Sequence, residues 1–187
     1  RRTVIPFDSI SRHVKNATVA IEDAEFYQHG GIKVSAIIRA VFVNITSIGF
    51  SQGGSTITQQ VVKNSLLTTE KTITRKLKEW VLAIKLEQAL SKEEILSLYL
   101  NEAPYGGSVY GIEEASRRFF NKSASDLTLT ESAYLAALPQ APTYFSPYGD
   151  NLKELAARKN VVLRRMVELG FITEEDRASA EKEVVTF

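Results

Sequence analysis

Apolar residues at helical spacing, punctuated by polar caps, set the pattern of this chain. Ser91-Lys92-Glu93-Glu94 and Thr173-Glu174-Glu175-Asp176 carry the hydroxyl-x-x-acid spacing that opens helices. From Leu152 onward Leu155, Ala156, Val162, Leu163, Met166 and Val167 keep the helical repeat, and Gly170 stands where a C-terminal cap belongs. Residues 130–138 read as a helix stopped by Pro139, and Pro142 and Pro147 make the next stretch an irregular loop. No pair of alternating strands joined by a hairpin turn stands out. The pattern predicts a mainly α fold of about eight to ten helices.

One helix is predicted over 72–90. At about 100° per residue its apolar Ile73, Leu77, Trp80, Val81 and Ile84 gather on one side. Arg75, Lys76 and Glu79 gather within roughly a 100° arc on the other. That arc reads either as a solvated face with an Arg75–Glu79 pair or as two cations and a carboxylate facing an anionic substrate. A second apolar stretch, 37–50, is interrupted by Arg39, Asn44 and Gly49, so it is too broken to span a bilayer. It reads as a buried element or as a segment lying on a membrane surface.

Composition narrows this picture only a little. A chain of 187 residues with 44% hydrophobic and 24% charged positions suits one globular domain, with room for two lobes. A net charge of +1 argues against nucleic acid as a partner while leaving room for a local basic patch. With no cysteine, thiol catalysis and disulfides are excluded. The start at Arg1-Arg2-Thr3, without Met or a signal-like run, reads as an excised piece.

Candidate chemistry sits in two places besides the 72–90 helix. Glu22 and Asp23 fall at a predicted helix end, with Ile21, Phe26 and Tyr27 around them and Gly30-Gly31 beyond. The negative helix end and the apolar neighbours both favour the protonated form of a carboxylate, as a group that must accept a proton requires. Metal binding is not indicated, because the chain has two histidines and neither has ligand spacing; His29 reads as a structural residue. In 52–64, Gly53-Gly54 permit close backbone approach and Ser55 or Thr56 can cap the following helix, whose positive end suits phosphate. Gln59, Gln60 and Lys63 add donors. Ser55 stands where a P-loop needs Lys, which rules out that nucleotide motif.

The order of these signals is more specific than any one of them. Glu22-Asp23-x-x-Phe26-x-x-His29-x-Gly31 is followed by Gly53-Gly54-Ser55-Thr56-x-Thr58-Gln59-Gln60-x-x-Lys63-Asn64. Then come Arg75-Lys76-x-x-Glu79, Ile95-Leu96-x-x-Tyr99-Leu100-Asn101 and Tyr110-Gly111-Ile112-Glu113. Phe119-Phe120-Asn121-Lys122 and residues 135–142 complete the series. The set resembles the peptidoglycan glycosyltransferase domain, glycosyltransferase family 51, of class A penicillin-binding proteins and of monofunctional enzymes. The likeness runs from about Val4 to Ala180. It departs at Gly30, where relatives carry a bulky residue, and in 101–107.

The resemblance implies a lysozyme-like helical large lobe and a smaller membrane-facing lobe, with 37–50 in the latter. It implies one glycosyltransferase domain over 1–187, with a membrane anchor before it and a transpeptidase domain after it. The implied reaction is polymerisation of lipid II into β-1,4 glycan strands with inversion and release of undecaprenyl pyrophosphate. Glu22 would be the base and Glu79 the second catalytic carboxylate, with Asp23 and His29 in support. Ser55, Thr56, Gln60, Lys63, Asn64, Lys71, Arg75 and Lys76 match the residues that hold pyrophosphate and substrate. The implied partners are lipid II, the growing strand, the membrane surface and other cell-wall synthesis proteins, at the outer face of a bacterial cytoplasmic membrane. No dedicated metal cluster is evident, although Mg2+ or Mn2+ bridging pyrophosphate oxygens is chemically reasonable. The rival readings are a muramidase or lytic transglycosylase of similar shape, and a non-catalytic lipid II-binding module.

Overall fold

The computed structural model describes residues 2–33, 54–66 and 73–187. The apolar 37–50 segment, Gly53 and Lys71 therefore lie outside the described residues. Eight α-helices occur among the described residues: α1 (Arg12–Glu22), α2 (Ile57–Leu66), α3 (Ile73–Ala89), α4 (Lys92–Glu102), α5 (Ile112–Phe120), α6 (Leu129–Ala137), α7 (Leu152–Glu168) and α8 (Glu174–Lys182). The caps form as expected. Ser91 and Glu94 exchange backbone and side-chain hydrogen bonds at the start of α4, and Thr173 and Asp176 do so at α8. At the end of α7 the Phe171 N–H reaches Met166 O and the Gly170 N–H reaches Val167 O, which is a Schellman closure on Gly170 at φ 73°.

One feature departs from the sequence expectation. Pro104–Gly106 (β1) and Val109–Tyr110 (β2) pair antiparallel through a turn at Gly106 and Gly107, both with positive φ. Two strands this short leave no alternating pattern to read.

The chain divides into two compact units, Arg1–Ala24 with Leu100–Phe187, and Glu25–Tyr99. In the first, α6 packs on α1 and α7, and α7 also meets α1 and α8. The core is built from Val14, Ala17 and Ala20 of α1, Ala133, Ala136 and Ala137 of α6, and Leu155, Val162, Leu163 and Met166 of α7. Small residues on α6 let it be buried along most of its length. Several motif residues serve this scaffold. The Asn101 side chain clamps the Ile5 backbone, accepting from its N–H and donating to its carbonyl. Glu113 is buried and accepts from Arg117 and the Ala124 N–H. Gly111 has φ 85°, and a Cβ there would stand 2.6 Å from Asn101 O, so only glycine fits.

In the second unit α2 packs on α3. The 72–90 helix shows the opposite orientation to a simple amphipathic one. Ile73, Leu77, Val81 and Ile84 are exposed, whereas Glu79 and Ala83 are buried. The solvated reading of the polar arc is thereby corrected for Glu79, which is 2% exposed.

Candidate active site

Glu22 is the last residue of α1 and Asp23 is its C-cap, with the Asp23 N–H on Val19 O. Glu22 is half-buried and Asp23 buried. In the same unit Tyr105 of β1 is buried, and burial, then the Glu22 charge, push its phenol well above the ordinary tyrosine range. Tyr105 thus stays a neutral hydroxyl within electrostatic reach of Glu22. Sequence reasoning passed over it because 83 positions separate the two. The only signal was that Tyr105 falls inside the 101–107 stretch, where the family pattern changes.

Phe26 and Tyr27, expected near Glu22, belong to the other unit. Phe26 is buried there against Tyr27 and His29, with the Lys92 ammonium 4.6 Å from its ring centre. His29 Nδ1 accepts from the Gly31 N–H at 3.0 Å and lies 4.0 Å from Glu87. Glu87 accepts from Thr58 and Lys92, both at 2.7 Å, and Lys92 also donates to His29 O at 2.6 Å. This network, unread in the sequence, ties residues 29–31 to α2, α3 and the start of α4. Gly31 completes it, with φ 95° and room for no Cβ beneath Ala83 O.

Several residues expected to hold an anion lie near the start of α2. Thr56 is its N-cap: its Oγ1 accepts the Gln59 N–H at 3.1 Å, and Gln59 Oε1 accepts the Thr56 N–H at 2.7 Å. The Thr56 hydroxyl donates to Gly31 O at 2.6 Å and the residue is fully buried. Its proton is therefore committed to the scaffold. Lys76, one inward turn along α3, donates to Ser55 Oγ at 3.1 Å and pairs with buried Glu79. Gln60 and Arg75 are half-buried, while Lys63 and Asn64 are exposed on α2. The result is a fixed ammonium beside the positive end of a helix, with a buried carboxylate holding it. Among the described residues no group of three or more His, Asp or Glu side chains is placed to hold a metal.

Residues 1–167 match the family model described as Transglycosylase. The chain is 45% identical over 186 residues to penicillin-binding protein 1A of Aquifex aeolicus (strain VF5), covering 100% of this chain and 26% of that protein. It is 42% identical over 182 residues to penicillin-binding protein 1F of Bacillus subtilis (strain 168), covering 96% and 25%. The crystal structure of penicillin-binding protein 1A from Haemophilus influenzae superposes with a TM-score of 0.59 at 25% identity, over 100% of this chain and 18% of that one. The chain spans about a quarter of the length of these curated relatives.

Proposed function

The chain belongs to the transglycosylase family, and from that premise we propose that it polymerises lipid II into β-1,4-linked glycan strands. In the proposed step the 4-hydroxyl oxygen of one lipid II attacks the muramyl C1 of the growing strand. The C1–oxygen bond to pyrophosphate breaks, the configuration inverts, and undecaprenyl pyrophosphate leaves. The hydroxyl proton passes to Glu22, because an alcohol becomes a competent nucleophile only as its proton is removed. Neutral Tyr105 leaves Glu22 as the acceptor of that proton.

The observation that carries this reading is Lys76, held between Ser55 and Glu79 at the N-terminus of α2. A departing pyrophosphate needs charge stabilisation rather than a strong acid, and a preorganised cation provides it without reorganisation during the step. Glu79 acts through Lys76, as a positioning carboxylate. Arg75, Gln60, Lys63 and Asn64 add donors around the same helix start. A muramidase would need a proton donor for its leaving oxygen but no such cation set.

A lipid-linked substrate also asks for a membrane surface. No helix among the described residues is long and apolar enough to cross a bilayer. The exposed Ile73, Leu77, Val81 and Ile84 stripe of α3, edged by Lys78 and Lys85, supports contact with an anionic lipid surface. The 37–50 segment is the proposed second contact. Placement at the outer face of a bacterial cytoplasmic membrane, beside other cell-wall synthesis proteins, follows from the same substrate.

Incubation of the protein with lipid II tests the proposal. Glycan polymer and undecaprenyl pyrophosphate should appear together, one leaving group per bond formed. Clearing of finished peptidoglycan without lipid II turnover would overturn it in favour of a hydrolase.

A further inference from the structure

Lys76, Glu79, Ala83 and Glu87 recur at three- and four-residue spacing, so they form one stripe along α3. Its first half belongs to the proposed pyrophosphate site, where Lys76 donates to Ser55 and pairs with Glu79. Its second half has no part in the reaction described above. There the Glu87 side chain is 9% exposed, and its Oε1 accepts from both the Thr58 hydroxyl and the Lys92 ammonium.

Stability alone is a weak reason for this arrangement. Removing a carboxylate and an ammonium from water costs about as much as their attraction returns, and apolar replacements of such pairs are often neutral. Thr58 is informative for the same reason. Fully buried in the first turn of α2, it commits its hydroxyl to α3 rather than to its own helix. A second route leads from Glu87 to the same turn. Gly31 lies against the Glu87 stem, where an added Cβ would stand 3.0 Å from Cγ, and Gly31 O accepts from Thr56, the N-cap of α2. The head of α2 is thus gripped twice by one α3 stripe, at Ser55 by Lys76 and at Thr58 by Glu87.

We propose that Glu87 is a positioning residue for pyrophosphate departure, acting through Thr58 and Thr56 to fix the first turn of α2 against Lys76. The inference rests on the glycosyltransferase reading for the identity of the anion. Fixed donors are worth most where negative charge grows. In lipid II the pyrophosphate is a diester. As the muramyl C1–oxygen bond breaks, the departing oxygen keeps the electron pair and becomes more negative. A looser α2 therefore weakens the transition state and the released pyrophosphate more than it weakens bound lipid II.

The test compares Thr58→Val, which keeps the side-chain shape without the hydroxyl, with Thr58→Ser, which restores the hydroxyl. With lipid II, Thr58→Val should show kcat about tenfold lower and KM within about twofold of the parent. Its affinity for farnesyl pyrophosphate, a monoester carrying the charge of the leaving group, should fall by a similar factor. Thr58→Ser should match the parent in both. Glu87→Ala breaks the same contact from the other side, and adding Thr58→Val to it should cause little further loss. Parental kcat or parental farnesyl pyrophosphate affinity in Thr58→Val would overturn the assignment, as would Thr58→Ser as slow as Thr58→Val. Weakened farnesyl pyrophosphate binding by Thr58→Val, in a protein whose parent does not polymerise lipid II, would instead overturn the reaction and leave the positioning role standing.

Discussion

Lys76 carries two duties at once, which makes its removal informative. It faces Ser55 at the head of α2 and neutralises Glu79, a carboxylate with almost no solvent. In Lys76→Ala the proposed anion receptor is lost and Glu79 is left buried without its ammonium. Turnover of lipid II should fall by about 100-fold or more, with weaker binding of a phosphoglycolipid inhibitor such as moenomycin. Stability should drop by about 1–3 kcal/mol, read by chemical denaturation. Glu79→Gln separates the two effects, since it removes the buried charge while leaving Lys76 free to meet phosphate in a less fixed position. Much of this was legible beforehand: Lys76 and Glu79 stood in one polar arc of a predicted helix, and Ser55 and Thr56 at a helix start. The choice between Ser55 and Thr56 was not. It depends on which hydroxyl reaches Gly31 O, a contact 25 positions away that no local pattern encodes.

At the scale of elements, α3 was read correctly as two-faced, but which face turned inward was not decided by hydropathy. Glu79 and Glu87 face inward because each finds a lysine, Lys76 and Lys92, and Thr58 adds a further donor to Glu87. The apolar stripe is left outward. Leu77→Glu with Val81→Glu should reduce co-sedimentation with vesicles containing anionic lipid by several-fold. The melting temperature should change little, because both positions are exposed. Equal co-sedimentation would remove α3 from the proposed membrane contact. A second element-scale prediction concerns the turn at residues 29–31. Gly31→Ala combines φ 95° with a Cβ 2.8 Å from Ala83 O, so it should cost about 1–3 kcal/mol in stability. An unaffected denaturation midpoint would show that this loop yields easily.

For the molecule as a whole, the mainly α character and the caps were written in the sequence, as helical spacing and hydroxyl-x-x-acid starts. Length alone only permitted a division into two units, which the family resemblance implied, and the short hairpin was invisible because five strand residues carry no periodicity. The first unit also sets a pH response. Burial, then Arg12, hold the His13 imidazole below its ordinary range, against an opposing pull from Asp176. Between its folded value and about 6.5 the unfolded chain binds more protons. Stability should therefore be full above that range and fall as pH drops through it, and His13→Gln should flatten the slope in urea titrations. At the alkaline end, buried Tyr105 keeps its proton while an unfolded tyrosine loses it near about pH 10, so stability should decline again above that value.

The central claim is that Glu22 takes the proton from the acceptor hydroxyl while the Lys76 site receives the departing pyrophosphate. The most direct measurement is single-turnover release of undecaprenyl pyrophosphate from lipid II by the parent and by Glu22→Gln. The account predicts release by the parent and a loss of about 100-fold or more in the variant, with lipid II affinity largely kept. Release by Glu22→Gln at the parental rate would contradict it.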